Sequence, residues 1–326
     1  MQIPTIDLAQ ARTGGENRRR VSTLIDEGNR HVGFFILVNH GVSTTLLDEL
    51  HSVTSEFFDL PGDVKDQYCR ALPSSRGYTP VKKRGLANTL DRGKSADLVE
   101  LFAMGMPHVP PDDHYFHAPE AAPNFQPNVW PAEIPEMQQI WTTYYHVVES
   151  LSVEVMELFA EALQLPTDYF SPKINKSISN LFANCYPSIT ETPEEGQLRV
   201  GEHTDYGTLT LLYQRDEVGG LEVWTDGAWL AIPATPNAFV VNIGDLMARW
   251  TNDRWSSTLH RVQNPPQGRW QERRISFPFF CQPNYDTLIE AIPTCVDADH
   301  PLRYAPMTSG ENVRRKTESS FALRND

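Results

Sequence analysis

The chain has 326 residues, of which 40% are hydrophobic and 21% are charged, a composition typical of a soluble globular protein. Its formal net charge of −14 argues against a nucleic-acid-binding surface and against attraction to anionic membranes. The cysteines Cys69, Cys185, Cys281 and Cys295 form no C-x-x-C pair, which indicates free thiols in a reducing compartment. Because the sequence has neither an apolar h-region near its start nor a long apolar run, we expect a cytoplasmic protein.

The N-terminal third alternates between short strands and helices. Residues 3–8 and 34–38 predict strands, and residues 18–30 predict a helix from their apolar period. A further amphipathic helix should end at Pro61. His40 has no second ligand at metal-ligand spacing, so we interpret it as a hydrogen-bonded structural histidine.

The middle of the chain combines irregular segments with one long helix. The basic run Lys82-Lys83-Arg84 indicates a solvated surface, and the alternative is a lid that meets an anionic substrate group. Residues 107–135 are rich in proline and acidic residues and predict a connection. Apolar residues at helical period then predict a helix over about 135–163, with Pro135 in its first turn.

From Ser177 onward the apolar period changes to two, which is typical of strands. Asp226-Gly227 is a strong signal for a two-residue hairpin turn. Many short strands separated by turns predict a mixed α and β protein whose core is a double-stranded β-helix, the jelly roll of cupins, flanked by helices. Residues 311–326 are polar and predict a surface helix or a frayed tail. We expect one integrated unit with four parts: residues 1–110, 111–175, 176–290 and 291–326.

The strongest chemical signal is His203-Thr204-Asp205, followed far along the chain by His260. Strand alternation turns His203 and Asp205 to the same side, so that one metal ion can bind both. Two imidazoles and one carboxylate form the facial triad of non-haem Fe(II) oxygenases, which leaves positions open for substrates and O2. Hydrolytic zinc chemistry is the competing interpretation of these ligands.

Arg274 and Ser276 follow His260 in a later predicted strand and argue against zinc hydrolysis. A guanidinium group matches a carboxylate bidentately, and a hydroxyl two residues along the same strand faces the same way. Such a pair can hold a carboxylate, although an arginine in a late strand is, taken alone, more often a surface or ion-paired residue.

Several further motifs accompany these residues. In chain order they are Gly33-Phe34-Phe35, Asn39-His40-Gly41, Asn184-Cys185-Tyr186-Pro187, residues 207–212, Val218-Gly219-Gly220-Leu221 and residues 241–245. With this order and spacing, the chain resembles the plant and microbial 2-oxoglutarate/Fe(II)-dependent dioxygenases of the isopenicillin N synthase-like family. The resemblance extends over nearly the whole chain, up to about Pro283.

The resemblance implies the cofactors and the reaction. Fe(II) would be held by His203, Asp205 and His260, with 2-oxoglutarate and O2 as cosubstrates. Arg274 and Ser276 would hold the distal carboxylate of 2-oxoglutarate, and Tyr186 and Asn184 would lie near it. Oxidative decarboxylation to succinate and CO2 would then drive hydroxylation, desaturation or ring formation on a small molecule, plausibly in specialised metabolism.

The resemblance and the departures from it suggest residues for the substrate pocket. Arg76 and Tyr78 match a family segment at the pocket mouth. Phe182 and Tyr206 replace an arginine and a proline that are common in the family. We expect the pocket to include Arg76, Tyr78, Glu100, Phe102, Phe182, Tyr206, Trp250 and Phe280.

Two other hypotheses remain open at this stage. Some members of the family use Fe(II) and O2 without 2-oxoglutarate, and the arginine-x-serine pair can then hold a substrate carboxylate. A non-catalytic cupin-like binding protein is the third hypothesis, which the intact ligand set opposes. We expect a monomer that acts on a small molecule and contacts neither nucleic acid nor membrane.

Overall fold

The computed structural model describes residues 3–70, 76–83, 85–87, 95–215 and 218–321. The strands are β1 Thr5–Asp7, β2 Phe34–Val38, β3 Gly77–Thr79, β4 Glu100–Met104, β5 Asn180–Tyr186, β6 Val200–His203, β7 Leu209–Gln214, β8 Leu221–Thr225, β9 Ala228–Ala231, β10 Phe239–Ile243, β11 His260–Val262, β12 Arg274–Cys281, β13 Leu288–Ile289 and β14 Met307–Thr308. The helices are α1 Leu8–Arg12, α2 Gly15–His31, α3 Thr44–Asp59, α4 Gly62–Lys65, α5 Glu136–Ala162, α6 Ser171–Ile174, α7 Asp245–Trp250 and α8 Ser309–Phe321.

Two sheets form the centre of the fold. The major sheet has the order β1-β2-β10-β7-β12-β5-β4-β3, and the minor sheet has the order β6-β11-β8-β9. From β5 to β12 the chain passes repeatedly between the two sheets, which is the connectivity of a double-stranded β-helix. The predicted fold class is therefore confirmed. The N-terminal strands β1–β4 extend the major sheet at both of its edges.

Strand alternation gives the major sheet two different faces. In β2, Phe35 and Leu37 pack with the helices, whereas Phe34 and Ile36 pack towards the minor sheet. Residues 275, 277 and 279 of β12 likewise join the helical core, so that the even-numbered residues face the space between the sheets. One strand thus supplies both the hydrophobic core and the wall of a cavity.

The long helix α5 supports the outer face of the major sheet. It spans Glu136–Ala162, so Pro135 lies at the cap position, one residue earlier than predicted. Trp141 of α5 is fully buried, packs edge-on against Phe102 at 5.3 Å between ring centroids, and donates a hydrogen bond to the Thr54 hydroxyl at 3.0 Å. These contacts join α5, α3 and β4.

Two local predictions are confirmed. Asp226 and Gly227 both have positive φ (51° and 76°) and connect the paired strands β8 and β9. His40 is buried, and its ring nitrogens form hydrogen bonds with the Asn237 carbonyl at 2.9 Å and the Val42 amide at 3.1 Å.

None of the helices within the described residues has the length and apolar character that a membrane crossing requires.

Replacing Trp141 by leucine should lower the free energy of unfolding by about 2–4 kcal/mol. The change removes aromatic packing and leaves the buried Thr54 hydroxyl without its partner. Urea denaturation followed by circular dichroism would measure the loss. Gln138→Leu, on the exposed side of α5, is the control and should change stability by less than about 0.5 kcal/mol. Equal effects of the two substitutions would contradict the packing role of Trp141.

Candidate active site

A cavity of about 570 Å³ lies between the two sheets and contains the predicted metal ligands. Its wall includes alternate residues of β5 and β12, together with residues of β6, β7, β10 and β11. The first turns of α8 lie across one side of it. Most of its lining is apolar, with a small number of buried polar groups.

His203, Asp205 and His260 converge in this cavity. His203 ends β6, His260 begins β11, and the two residues pair directly across the ladder. Asp205 Oδ1 lies 4.0 Å from His203 Nε2 and 3.8 Å from His260 Nε2. All three residues are buried, and among the described residues they are the one cluster of His, Cys, Asp and Glu able to hold a metal ion.

The hydrogen bonds of both histidines fit a metal site. His203 Nδ1 lies 2.8 Å from the Gly201 carbonyl, and His260 Nδ1 lies 3.0 Å from the Thr258 carbonyl. A carbonyl only accepts, so each Nδ1 carries the proton and donates. Each Nε2 therefore directs its lone pair towards Asp205, as a metal ligand must.

Asp205 is prepared as the anionic ligand. Its Oδ2 accepts hydrogen bonds from Thr210 Oγ1 at 2.5 Å and Asn242 Nδ2 at 2.7 Å, which leaves Oδ1 for the metal. Burial alone would raise the pKa of this carboxyl group. When the two neighbouring histidines carry a positive charge, they and the two hydrogen bonds outweigh burial and hold the pKa below its ordinary value. The donor set fits Fe(II).

The turn between the ligands is tied to the following helix. The Asp245 amide donates to the Asp205 carbonyl at 2.8 Å, and the Asp245 carboxylate accepts from the hydroxyls of Thr204 and Ser257 at 3.2 and 2.7 Å. Gly244 permits this close approach, because a Cβ there would lie 2.5 Å from the Gly207 carbonyl oxygen. Asp245 thus holds the metal-binding turn against the start of α7.

The predicted cosubstrate residues lie together on the paired strands β5 and β12. Arg274 is opposite Tyr186, and Ser276 is opposite Asn184; all four line the cavity. Arg274 is only 1% exposed and donates to Ser276 Oγ at 3.4 Å. It also donates to Gln214 Oε1 of β7, a contact that the sequence analysis missed.

Four of the eight residues predicted for the substrate pocket line the cavity: Arg76, Phe182, Tyr206 and Phe280. Phe182 and Phe280 pack edge to face at 5.2 Å between ring centroids. The Arg76 guanidinium donates to Asn180 Oδ1 at 2.5 Å and to the Asn124 carbonyl at 2.6 Å. Burial lowers the pKa of Arg76 to about 10. Their contact with a substrate stays a prediction.

The other four do not line the cavity, and the prediction is corrected for them. Tyr78, Glu100 and Phe102 lie on the helical face of β3 and β4, because Leu101 takes the cavity side of β4. The Tyr78 hydroxyl donates to Glu100 Oε2 at 2.6 Å, and Glu100 also pairs with Lys65 at 2.8 Å.

Phe102 and Trp250 are core residues. The Phe102 ring packs against Phe57 at 4.7 Å between centroids, and Trp250 packs against Phe170 at 5.1 Å.

In the basic run at residues 82–84, Lys82 and Lys83 do not line the cavity. Arg84 lies outside the described residues.

Two further parts of the cavity wall were not predicted from the sequence. Gln282 continues the cavity face of β12 beyond Phe280, is 3% exposed, and has a buried Oε1 without a hydrogen-bond partner among the described residues. Extending the period of two from Ser276 would have found it. The C-terminal helix α8 contributes Gly310, Glu311 and Val313 to the wall, so it is more than the surface helix expected. Its polar sequence carries no signal of this role.

Comparisons with known proteins agree with the geometry. A model of the 2OG-Fe(II) oxygenase superfamily matches residues 178–283, and a model described as "non-haem dioxygenase in morphine synthesis N-terminal" matches residues 3–133. Validamycin A dioxygenase of Streptomyces hygroscopicus subsp. limoneus is 33% identical over 318 residues, which cover 96% of this chain and 85% of that protein. The chain belongs to the 2OG-Fe(II) oxygenase superfamily.

Crystal structures of similar proteins have the same fold. A full-length Neurospora crassa protein in complex with alpha-KG aligns with a TM-score of 0.85 at 29% identity, over 97% of this chain and 96% of that chain. The complex of the same protein with alpha-KG and thymine aligns with a TM-score of 0.82 at 31% identity, over 97% of each chain. The expected resemblance is thus confirmed, and the protein is a 2-oxoglutarate-dependent dioxygenase with Fe(II) held by His203, Asp205 and His260.

Replacing Thr210 by valine should weaken Fe(II) binding by this oxygenase about tenfold or more. The substitution removes one hydrogen bond that orients the Asp205 carboxylate, and losses of this kind typically cost about 10- to 100-fold in metal affinity. Anaerobic Fe(II) titration would measure the change. Thr208→Val is the control, because the buried Thr208 hydroxyl donates to the Cys281 carbonyl instead. Unchanged affinity in Thr210→Val would contradict the orienting role.

Proposed function

We propose that this oxygenase uses O2 to couple the oxidative decarboxylation of 2-oxoglutarate to succinate and CO2 with a two-electron oxidation of a small molecule in specialised metabolism. The oxidation is a hydroxylation, a desaturation or a ring closure at a C–H bond. The observation that carries the proposal is that the two ends of one strand face differ in chemical character. The cavity face of β12 begins with Arg274 and Ser276, continues through Phe280, and extends one residue beyond the strand to Gln282.

The end of the β12 cavity face that carries Arg274 suits the cosubstrate. The Arg274 guanidinium group is buried and directed at Ser276 and Gln214. Tyr186 and Asn184 lie opposite on β5. A dicarboxylate can therefore place its distal carboxylate on Arg274 and Ser276, with Tyr186 and Asn184 beside it. When bound, Fe(II) supplies the activation of O2 that drives the oxidation.

The Phe280 end suits the organic substrate. Phe280 pairs across the sheet with Thr210, the residue that orients Asp205, so this end of the strand is close to the metal ligands. Phe182, Phe280 and Leu101 form an apolar wall that excludes water from the reacting bond. Arg76 and Gln282 supply polar groups for orientation, while Tyr206 lies in the turn that follows Asp205.

The relatives also support a small-molecule substrate. One relative is named for validamycin A, and one crystal structure holds thymine. A cavity of about 570 Å³ with buried amide and guanidinium groups fits a small organic compound that carries polar groups. A monomeric state and a cytoplasmic location remain predictions, which size-exclusion chromatography and cell fractionation would test.

Replacing Arg274 by leucine should weaken 2-oxoglutarate binding by about 30-fold to several thousand-fold. Loss of a buried, charge-assisted contact typically costs about 2–5 kcal/mol. The measurement is an anaerobic titration that follows the charge-transfer absorption of the Fe(II)–2-oxoglutarate complex. Arg273→Leu is the control, because Arg273 precedes it on the other face of the strand and pairs with Asp59 at the surface. Fe(II) affinity should not change in either variant.

The anaerobic titration and an aerobic turnover assay together test the coupled reaction. The wild-type enzyme should develop the charge-transfer band and form succinate at a rate that rises with a substrate from a panel that includes validamycin A and thymine. O2 consumption with a substrate alone, without the band, would instead identify an oxidase that does not use 2-oxoglutarate. Arg274 would then be assigned to a substrate carboxylate.

Replacing Gln282 by leucine should raise the KM for the organic substrate about three- to tenfold, because one neutral hydrogen bond is worth roughly 0.5–1.5 kcal/mol. The 2-oxoglutarate affinity should stay within about twofold, since Gln282 lies at the opposite end of the β12 face. Succinate formation against substrate concentration gives KM. Gln267→Leu, at an exposed position, should change neither value. A loss confined to 2-oxoglutarate binding would contradict this division of the cavity.

A further inference from the structure

Two buried arginines lie beside the ring of Tyr186. The guanidinium carbon of Arg274 is 4.8 Å from the ring centroid, and that of Arg199 is 5.8 Å from it. Both arginines are 1% exposed. Tyr186 lines the cavity next to Arg274, whereas Arg199 lies behind this wall and is not part of the lining.

Both guanidinium groups are incompletely bonded. Arg199 donates one hydrogen bond, to the Glu272 carbonyl at 2.6 Å, and Arg274 donates to Ser276 and Gln214. Among the described residues, the Nε atoms of both arginines have no hydrogen-bond partner, and neither arginine forms a salt bridge with a carboxylate. The Glu272 carboxylate forms its salt bridge with Arg269, and its attraction to Arg199 is weaker than the burial of Arg199 and the repulsion from Arg274.

Burial of both guanidinium groups side by side raises the free energy of the folded protein when no ligand is bound. A buried cation without a counterion loses its hydration, and two nearby cations also repel each other. Burial and the charge of Arg274 lower the pKa of Arg199 to about 10, although the group remains protonated at neutral pH. Two buried positive charges, for which the described residues provide no salt-bridged carboxylate, therefore favour the binding of an anion in the cavity beside them.

We infer that Arg199 is a second positively charged residue of the cosubstrate site, which acts through Tyr186 to strengthen binding of the distal carboxylate of 2-oxoglutarate. The inference rests on the proposed placement of that carboxylate at Arg274. Arg199 does not touch the ligand: it is a positioning residue that holds the Tyr186 ring and adds positive potential behind it. Arg274 provides the direct contact, and Arg199 favours a ligand with two negative charges over one with a single charge.

A purely structural role for Arg199 has a different signature. Its bond to the Glu272 carbonyl joins the segment before β6 to the loop before β12. If this were its whole function, a substitution would disturb the site for every 2-oxo acid alike. The electrostatic role affects only acids with a distal carboxylate.

The test compares two ligands on the Fe(II)-loaded protein under anaerobic conditions. 2-Oxoglutarate and 2-oxopentanoate share the keto acid and the chain length, but 2-oxopentanoate lacks the distal carboxylate. Both are titrated by their charge-transfer absorption against wild type, Arg199→Gln, Arg199→Lys and Arg269→Gln. Arg269→Gln is the matched control, since it removes the same charge from an exposed position in the loop to which Arg199 is hydrogen-bonded.

In Arg199→Gln, 2-oxoglutarate should bind roughly ten- to thirtyfold more weakly, the loss expected for one buried charge several ångströms away. Binding of 2-oxopentanoate should change by less than about twofold. Arg199→Lys retains the charge and should keep the wild-type preference for 2-oxoglutarate within about threefold. Arg269→Gln should leave both affinities unchanged.

Equal weakening of both ligands, no weakening of either, or the same loss in Arg269→Gln would each overturn the inference. If Arg199→Gln does not fold, Arg199→Lys decides, because a loss of preference larger than about threefold despite the retained charge also overturns it. Arg274→Leu distinguishes a failure of the proposed cosubstrate site from a failure of the role inferred for Arg199. If that variant binds 2-oxoglutarate normally, the proposed cosubstrate site is wrong; if only Arg199→Gln binds normally, the inference alone fails.

Discussion

The active site depends on the direct pairing of His203 and His260 across strands β6 and β11. The two residues are far apart in sequence, and the ladder of the minor sheet brings their rings to 4.2 Å between centroids. Backbone carbonyls at Gly201 and Thr258 then orient both rings in the same way, each from two residues earlier in the chain. Sheet geometry and backbone hydrogen bonds thus place both histidine ligands.

The second constraint is the burial of polar groups between two apolar layers. The two hydrogen bonds to Asp205 oppose the effect of burial and help to lower the pKa of its carboxyl group, and the β7 and β10 residues that donate them come from the major sheet. The minor sheet carries the histidines. Because the ligands and their supports belong to different sheets, the packing of the jelly roll itself controls the metal site.

The C-terminal helix connects the cavity wall to the metal-binding turn. Lys316 pairs with the Asp245 carboxylate at 2.8 Å, and Asn312 donates to the Tyr206 carbonyl at 3.1 Å. The same Asp245 carboxylate accepts from Thr204, between the two ligands of the H-x-D turn. The helix that shapes the substrate end is therefore bonded to the segment that carries the iron ligands.

The sequence alone determined the chemistry and the fold class of this protein, because both depend on local patterns. Ligand types, the arginine-x-serine pair and the period of two are visible in order along the chain, and they identified His203, Asp205, His260 and Arg274. Substrate-pocket residues were predicted less well. The face on which Phe102 lies depends on the register of β4 against β5, and a shift of one residue exchanges core for cavity. Only the tertiary structure decided that Leu101 faces the cavity, that Gln282 and α8 complete its wall, and that Arg199 lies behind Tyr186. These are contacts between segments distant in sequence, and they arise from how the sheets and helices pack rather than from any local signal.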